Sequence, residues 1–256
     1  MSVPQALLVF VAAWLAVVAV GWLAVVPALA RGPASDPVFG ALWHGVGFYC
    51  RLWHHVRFEG TEILPASDDD HAGLIVVANH TGAVDPLLIQ TGCRFMIRWM
   101  MAEDMMSSSL DWLWRLYPAI PVARDGTDSG PLREAIRYVK NGGTVGIFPE
   151  GRITTPPREI RPFLPGVGLL VSRTKAPVLL VWVSGTPDTN KMGEALASRS
   201  DSRVVFIDLV EYPGKRGPAE ISEDLRRRIH EVSGWPLNDE ILPPGGRVED
   251  AVPSPS

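Results

Sequence analysis

The chain is 256 residues long, enough for one domain with a sizeable core and an appendage. A formal net charge of −4 argues against a protein that coats nucleic acid, so no nucleic-acid partner is expected. The two cysteines, Cys50 and Cys93, match no zinc, haem or redox spacing, which leaves reduced, mostly buried thiols and no expected metal.

Hydrophobic residues make up 46% of the chain, and much of the excess lies at the N-terminus. Residues 3–30 carry no charged side chain. That run is longer than the ~20 residues needed to cross a hydrocarbon core as a helix. "ALA" at 28–30 has the form of a signal cleavage site, but no Lys or Arg precedes the run. A retained anchor is therefore expected. Arg31 places the positive side after the run, so the main domain is expected on the cytoplasmic face of the cell membrane. Residues 36–60 then repeat Phe39, Trp43, Val46, Tyr49 and Trp53 at roughly helical spacing, with His44, Arg51, His54, His55 and Arg57 interspersed. This reads as an aromatic, basic, interfacial helix, with His54 and His55 as interfacial polar groups. The alternative is an ordinary helix packed on a domain.

From residue 72 short apolar runs alternate with helical patterns. The strands expected are 74–78, 95–99, 119–123, 144–148, 178–183 and 203–210. The helices expected are 86–92, 104–116, 130–141, 166–174 and 219–232. The pattern predicts an α/β fold: a mostly parallel sheet flanked by helices, with an N-terminal membrane-associated helical element. The expected division is an anchor over 1–60, an α/β domain over 61–233 and a Pro/Gly-rich mobile tail over 234–256.

Ligand sites in such sheets gather at the carboxyl ends of the strands. Two motifs fall there. "ANHTGAVDP" (78–86) follows the first expected strand and "FPEGRIT" (148–154) the fourth. His80 and Asp85 read in two ways. Asp85 before Pro86 has the form of a helix N-cap with proline at N1. Equally, a histidine beside a carboxylate is a general base held in one tautomer. Glu150, Gly151 and Arg152 form either a solvated turn or an anion-binding corner, since Arg grips phosphate bidentately. No G-x-S-x-G nucleophile motif occurs, so a catalytic His80 would activate the substrate's own hydroxyl. The Met- and Trp-rich stretch 99–118 is core packing, membrane contact or an acyl-chain groove.

Together, "NHTGAVDP" and "FPEGRIT" resemble the glycerophospholipid acyltransferase family, which includes 1-acylglycerol-3-phosphate acyltransferases. That family carries H-x-x-x-x-D followed, at a separation this chain matches, by F-P-E-G. "YPAIPVARDG", ending near Arg124, and "APVLLVWVSGT", with Pro177, resemble its other two blocks, in family order. The resemblance implies acyl transfer from acyl-CoA or acyl carrier protein to the hydroxyl of a lysophospholipid. It implies His80 as base, Asp85 as its support, and Arg124, Glu150, Gly151 and Arg152 on the acceptor. It implies no cofactor beyond the thioester co-substrate, and docking on a lipid bilayer. The N–H donors for the oxyanion are sought around Gly151 or Val183–Gly185.

The chain departs from the family pattern in places. Ile153 stands where an arginine is usual, and "FLPG" (163–166) lacks the usual lysine. Arg158, Arg161, Arg173 or Lys175 would supply that charge instead. "FPEGRIT" resembles the branch acting on lysophosphatidylethanolamine, so the acceptor is open. Other acceptors, such as a lyso-ornithine lipid or a glycolipid, and CoA-independent transacylation use the same scaffold. A reading of another class is a non-catalytic membrane lipid-binding protein.

Overall fold

The uncharged N-terminal run forms one helix, α1 (Val3–Leu29), in a computed structural model that describes residues 3–30, 32–33, 36–106, 117, 119–123, 128–154 and 158–240. At ~1.5 Å per residue it is about 40 Å long, more than the ~30 Å of a hydrocarbon core. None of it is buried against protein, and its mean hydropathy reaches 2.6. By length and composition it is able to cross a membrane.

Helix α2 (Pro37–Trp53) is capped by Asp36, whose carboxylate accepts from the Phe39 N–H at 2.8 Å, while Pro37 takes a position that needs no donor. It stops well short of residue 60. The chain turns at His54 and at His55, whose φ is 41°, and Arg57–Glu59 enters the sheet as β1. The α/β domain therefore begins before residue 61. His54 is also not interfacial: it is fully buried, with Nδ1 2.8 Å from Ser200 Oγ and Nε2 3.1 Å from the Tyr49 hydroxyl. Burial holds its pKa below the usual imidazole value. His55 remains at the surface beside Asp201.

The remaining strands are β2 (Leu74–Ala78), β3 (Ile97–Ala102), β4 (Ile120–Val122), β5 (Thr144–Ile147), β6 (Val178–Ser184) and β7 (Arg203–Val210). The sheet order is β1-β7-β6-β2-β5-β3-β4. Strands β2 to β6 run parallel, β7 runs antiparallel to β6, and β1 is parallel to β7. The expected mostly parallel sheet is present. Its connections include α3 (Asp85–Gly92), α4 (Gly130–Lys140), α5 (Pro165–Thr174), α6 (Met192–Ala197) and α7 (Pro218–Ser233). The sequence reading did not include α6. Most of the helix expected over 104–116 lies outside the described residues; Glu103–Met105 makes a single 3-10 turn.

Every residue of β2 is buried, which is why its sequence runs apolar instead of alternating. Ile75 and Val77 face one core with Leu170 of α5 and Leu225 of α7. Leu74, Val76 and Ala78 face the other, with Cys50 of α2 and Leu88 of α3. Cys50 and Cys93 are buried free thiols, and desolvation pushes the Cys50 thiol up to about 11. Residues 234–240 are not a free tail. Trp235 meets Trp182 edge to face, Leu237 bridges Ile160, and Asp239 pairs with the buried Arg226 at 2.7 Å. The rest of the expected tail lies outside the described residues.

Just past β2, the Asn79 amide binds its neighbour strand from both sides. Its Nδ2 donates to Val183 O at 2.9 Å, and its Oδ1 accepts from Val183 N at 2.8 Å. Asn79 is 1% exposed, so no water replaces these bonds. Asn79→Ala strands both Val183 groups. We expect it to lower unfolding stability by about 1–3 kcal/mol, read as a lower urea midpoint in detergent.

Candidate active site

β2 and β5 lie side by side and end on the same rim, so the loops that leave them meet. His80 leaves β2 and turns back on Asp85. Its Nδ1 lies 2.9 Å from Asp85 Oδ2. The same oxygen accepts the backbone N–H of Thr81 at 2.6 Å and of Gly82 at 2.9 Å. Asp85 is fully buried. A carboxylate taking two backbone donors offers only acceptor capacity, so His80 Nδ1 must be the donor. That leaves the lone pair on Nε2, which has no partner among the described residues. Asp85 is the first residue of α3, and its carboxylate points back to residues 80–82. The N-cap reading is thus corrected: the side chain organises the preceding loop, not the first turn of the helix.

The second loop holds the first from below. The His80 ring stacks on Phe148, with centroids 4.0 Å apart, and Phe148 stacks on Trp99 at 4.7 Å. Trp99 is core, not groove, and it fits because residue 146 is glycine: a Cβ there would sit 2.4 Å from the indole. Glu150 Oε1 accepts the backbone N–H of His80 at 3.1 Å. Its Oε2 accepts from the Thr154 hydroxyl, and the Thr154 N–H donates to His80 O at 2.8 Å. Glu150 is 6% exposed, with both oxygens engaged inside the protein. In this arrangement Glu150 supports the backbone of His80. Desolvation, only partly offset by its hydrogen bonds, pushes its pKa up to about 7.

The acyltransferase family model matches residues 55–184. The chain belongs to the acyltransferase family. The 1-acyl-sn-glycerol-3-phosphate acyltransferase of Bacillus subtilis (strain 168) is 25% identical to it over 186 residues, spanning 69% of this chain and 87% of the relative. The crystal structure of the 1-acyl-sn-glycerophosphate (LPA) acyltransferase PlsC from Thermotoga maritima shares the fold. Its TM-score is 0.62 at 24% identity, covering 76% of this chain and 78% of that one.

Other expected site residues of this acyltransferase fall in different places. Gly151 takes a φ of 71° and lies under Leu164, and its N–H donates to Phe148 O at 3.1 Å. Val183 N–H is held by Asn79. Neither is free for an oxyanion, which corrects the expectation at those two groups. Arg152 follows at the same turn, half-buried. Arg124 lies outside the described residues.

A cleft of about 730 Å³ opens beside the His80 loop, between Thr81, Arg158, Trp182, Ser184, Thr186 and Trp235. Thr81 and Thr186 hydroxyls, 2.9 Å apart, tie the loop to the chain after β6. Of the four alternative cations, Arg158 lines this cleft. Arg161 is buried beside Glu240, while Arg173 and Lys175 sit where α5 ends, ahead of β6 and at the far end of the sheet. Sequence reasoning missed Thr154, four positions after Glu150; a hydroxyl at that spacing from a buried acid was its only signal.

A carboxyl whose folded pKa is raised binds its proton more tightly folded than unfolded. Its stabilising contribution is complete below the unfolded value of 4.5 and is lost as pH rises through about 7. Glu150→Gln keeps an acceptor for His80 N–H without ionising. The variant should lose less stability than the parent between about pH 5 and about pH 8, measured as unfolding midpoints at both. Glu150→Ala should instead destabilise at every pH, by leaving the His80 N–H unpaired.

Proposed function

We propose that this acyltransferase moves an acyl chain from the thioester of acyl-CoA or acyl carrier protein to the free hydroxyl of a lysophospholipid. The observation that carries this reading is the unpartnered Nε2 of His80, whose other nitrogen is fixed by a buried Asp85. Nε2 takes the hydroxyl proton as the oxygen attacks the thioester carbonyl. The tetrahedral intermediate collapses, the C–S bond breaks, and the imidazolium returns the proton to the departing thiolate. Asp85 stabilises the imidazolium between these steps. No metal or prosthetic group enters the sequence of steps.

The name of the Bacillus subtilis relative supports 1-acylglycerol-3-phosphate as the acceptor. Arg124 and Arg152 are assigned to its phosphate, and Arg158 adds charge at the cleft. The exposed α1 supports work at the membrane, and Arg31 after it supports a domain on the cytoplasmic face. One observation favours a second acceptor. Ile153, where the family pattern has an arginine, packs against the apolar core. Arg152 stands one place earlier, so the cation of this turn is displaced, which suits a differently shaped headgroup such as ethanolamine phosphate.

Purified protein in neutral micelles should transfer labelled acyl chains to a lysophospholipid, and His80→Ala should reduce turnover about 10²–10⁴-fold. Full activity in that variant would overturn the mechanism. A panel of lysophosphatidic acid, lysophosphatidylethanolamine, lyso-ornithine lipid and glycolipid acceptors, each with and without acyl-CoA, ranks the acceptors by turnover. Exchange that persists without a thioester identifies a transacylase.

A further inference from the structure

A second cleft, of about 410 Å³, lies where α1, α2 and α3 meet. Its walls include Ala28, Trp43, His44, Arg51, Thr91 and Arg94. We propose that it binds the phosphodiester headgroup of an anionic glycerophospholipid from the bilayer in which α1 sits.

The cleft has a fixed frame. Gly40 of α2 lets α1 approach so closely that a Cβ there would fall 1.9 Å from Leu29 O. The Trp43 indole N–H donates to Gln90 O at 3.0 Å, fixing α2 against α3. Its charge is one-sided. Arg51 and Arg94 are exposed, and neither guanidinium pairs with a carboxylate among the described residues. His44 is exposed beside them. Two unpaired forks in one cleft suit a phosphate.

The surroundings identify the source of that phosphate. α2 buries Gly40, Gly47 and Cys50 on one side and exposes Val38, Leu42, Phe48 and Leu52 on the other. At 100° per residue, His44 and Arg51 fall on the border between these faces. A helix with an exposed apolar stripe edged by cations lies in a membrane interface. The uncharged end of α1 enters the same cleft at Ala28. A headgroup in this position keeps its acyl chains along the α1 and α2 apolar surfaces, as a free phosphate would not. An anionic lipid fits better than a choline lipid, because a quaternary ammonium would lie beside two guanidinium groups with no carboxylate to offset it.

The cleft is not the catalytic one. Thr91 stands near the C-terminal end of α3 with Arg94 just past it, and Asp85 stands at its start, about 9 Å from Thr91 along the axis. A lipid held here anchors the α2 face at a fixed depth without occupying the His80 loop.

The test uses full-length protein in nonionic detergent, titrated with phosphatidylglycerol, phosphatidylcholine or inorganic phosphate and followed by thermal shift and native mass spectrometry. Phosphatidylglycerol should raise the midpoint and remain bound on delipidation. Arg51→Gln/Arg94→Gln should weaken it about tenfold or more, Arg51→Lys/Arg94→Lys less, and His80→Ala not at all. The double Gln variant's own midpoint without lipid, unchanged from the parent, separates lost binding from misfolding. If that midpoint falls, the Lys pair decides: parent-like lipid binding there supports the proposal, and loss equal to the Gln pair overturns it. Equal shifts from phosphatidylcholine or inorganic phosphate overturn the lipid assignment. Loss of the shift in His80→Ala would mean that the lipid occupies the catalytic cleft instead.

Discussion

A carboxylate sealed from water needs donors close at hand, and Asp85 finds four on one oxygen. Two are backbone N–H groups, and the others are the His80 ring and the Thr81 hydroxyl. The loop from 80 to 82 has its shape because it must wrap that oxygen. The demand for donors therefore sets the histidine's tautomer, its ring orientation and the direction of its free nitrogen together. A helix cap would have spent the same carboxylate on the first turn of α3 and left the imidazole free to rotate.

Glu150 meets the same constraint from the neighbouring strand. Glu150 accepts from the backbone N–H groups of His80 and Arg161 and from the Thr154 hydroxyl, but its desolvation outweighs them. Its proton is therefore held to higher pH. A neutral Glu150 still accepts from His80 N–H and still exchanges a hydrogen bond with Thr154. The scaffold under His80 tolerates the uncharged form, and stacking on Phe148 and Trp99 adds a contact that does not titrate.

Helix α3 touches both regions. Its first residue, Asp85, holds the His80 loop, and Thr91 near its end lines the cleft beside α1 and α2. Eight residues thus join the proposed base to the proposed lipid cleft.

Much of this protein is legible in its residues. The buried parallel strands show as unbroken apolar runs because both faces are covered, and α1 shows because twenty-seven positions carry no charge. The pairing of His80 with Asp85 is one of two readings of "ANHTGAVDP", and "FPEGRIT" favours it. The tertiary structure decided what depends on contacts between distant segments. β1 is three residues long, too short to show a period, and exists only because β7 offers it an edge. His54 was drawn inside by Ser200, and residues 234–240 were held down by Trp182, Ile160 and Arg226. Glu150 looks inward because the backbone donor at His80 stands across the sheet from it. Sequence fixes which groups are present and how far apart the chain sets them; which way a carboxylate faces depends on donors supplied from another strand, and only folding brings those within reach.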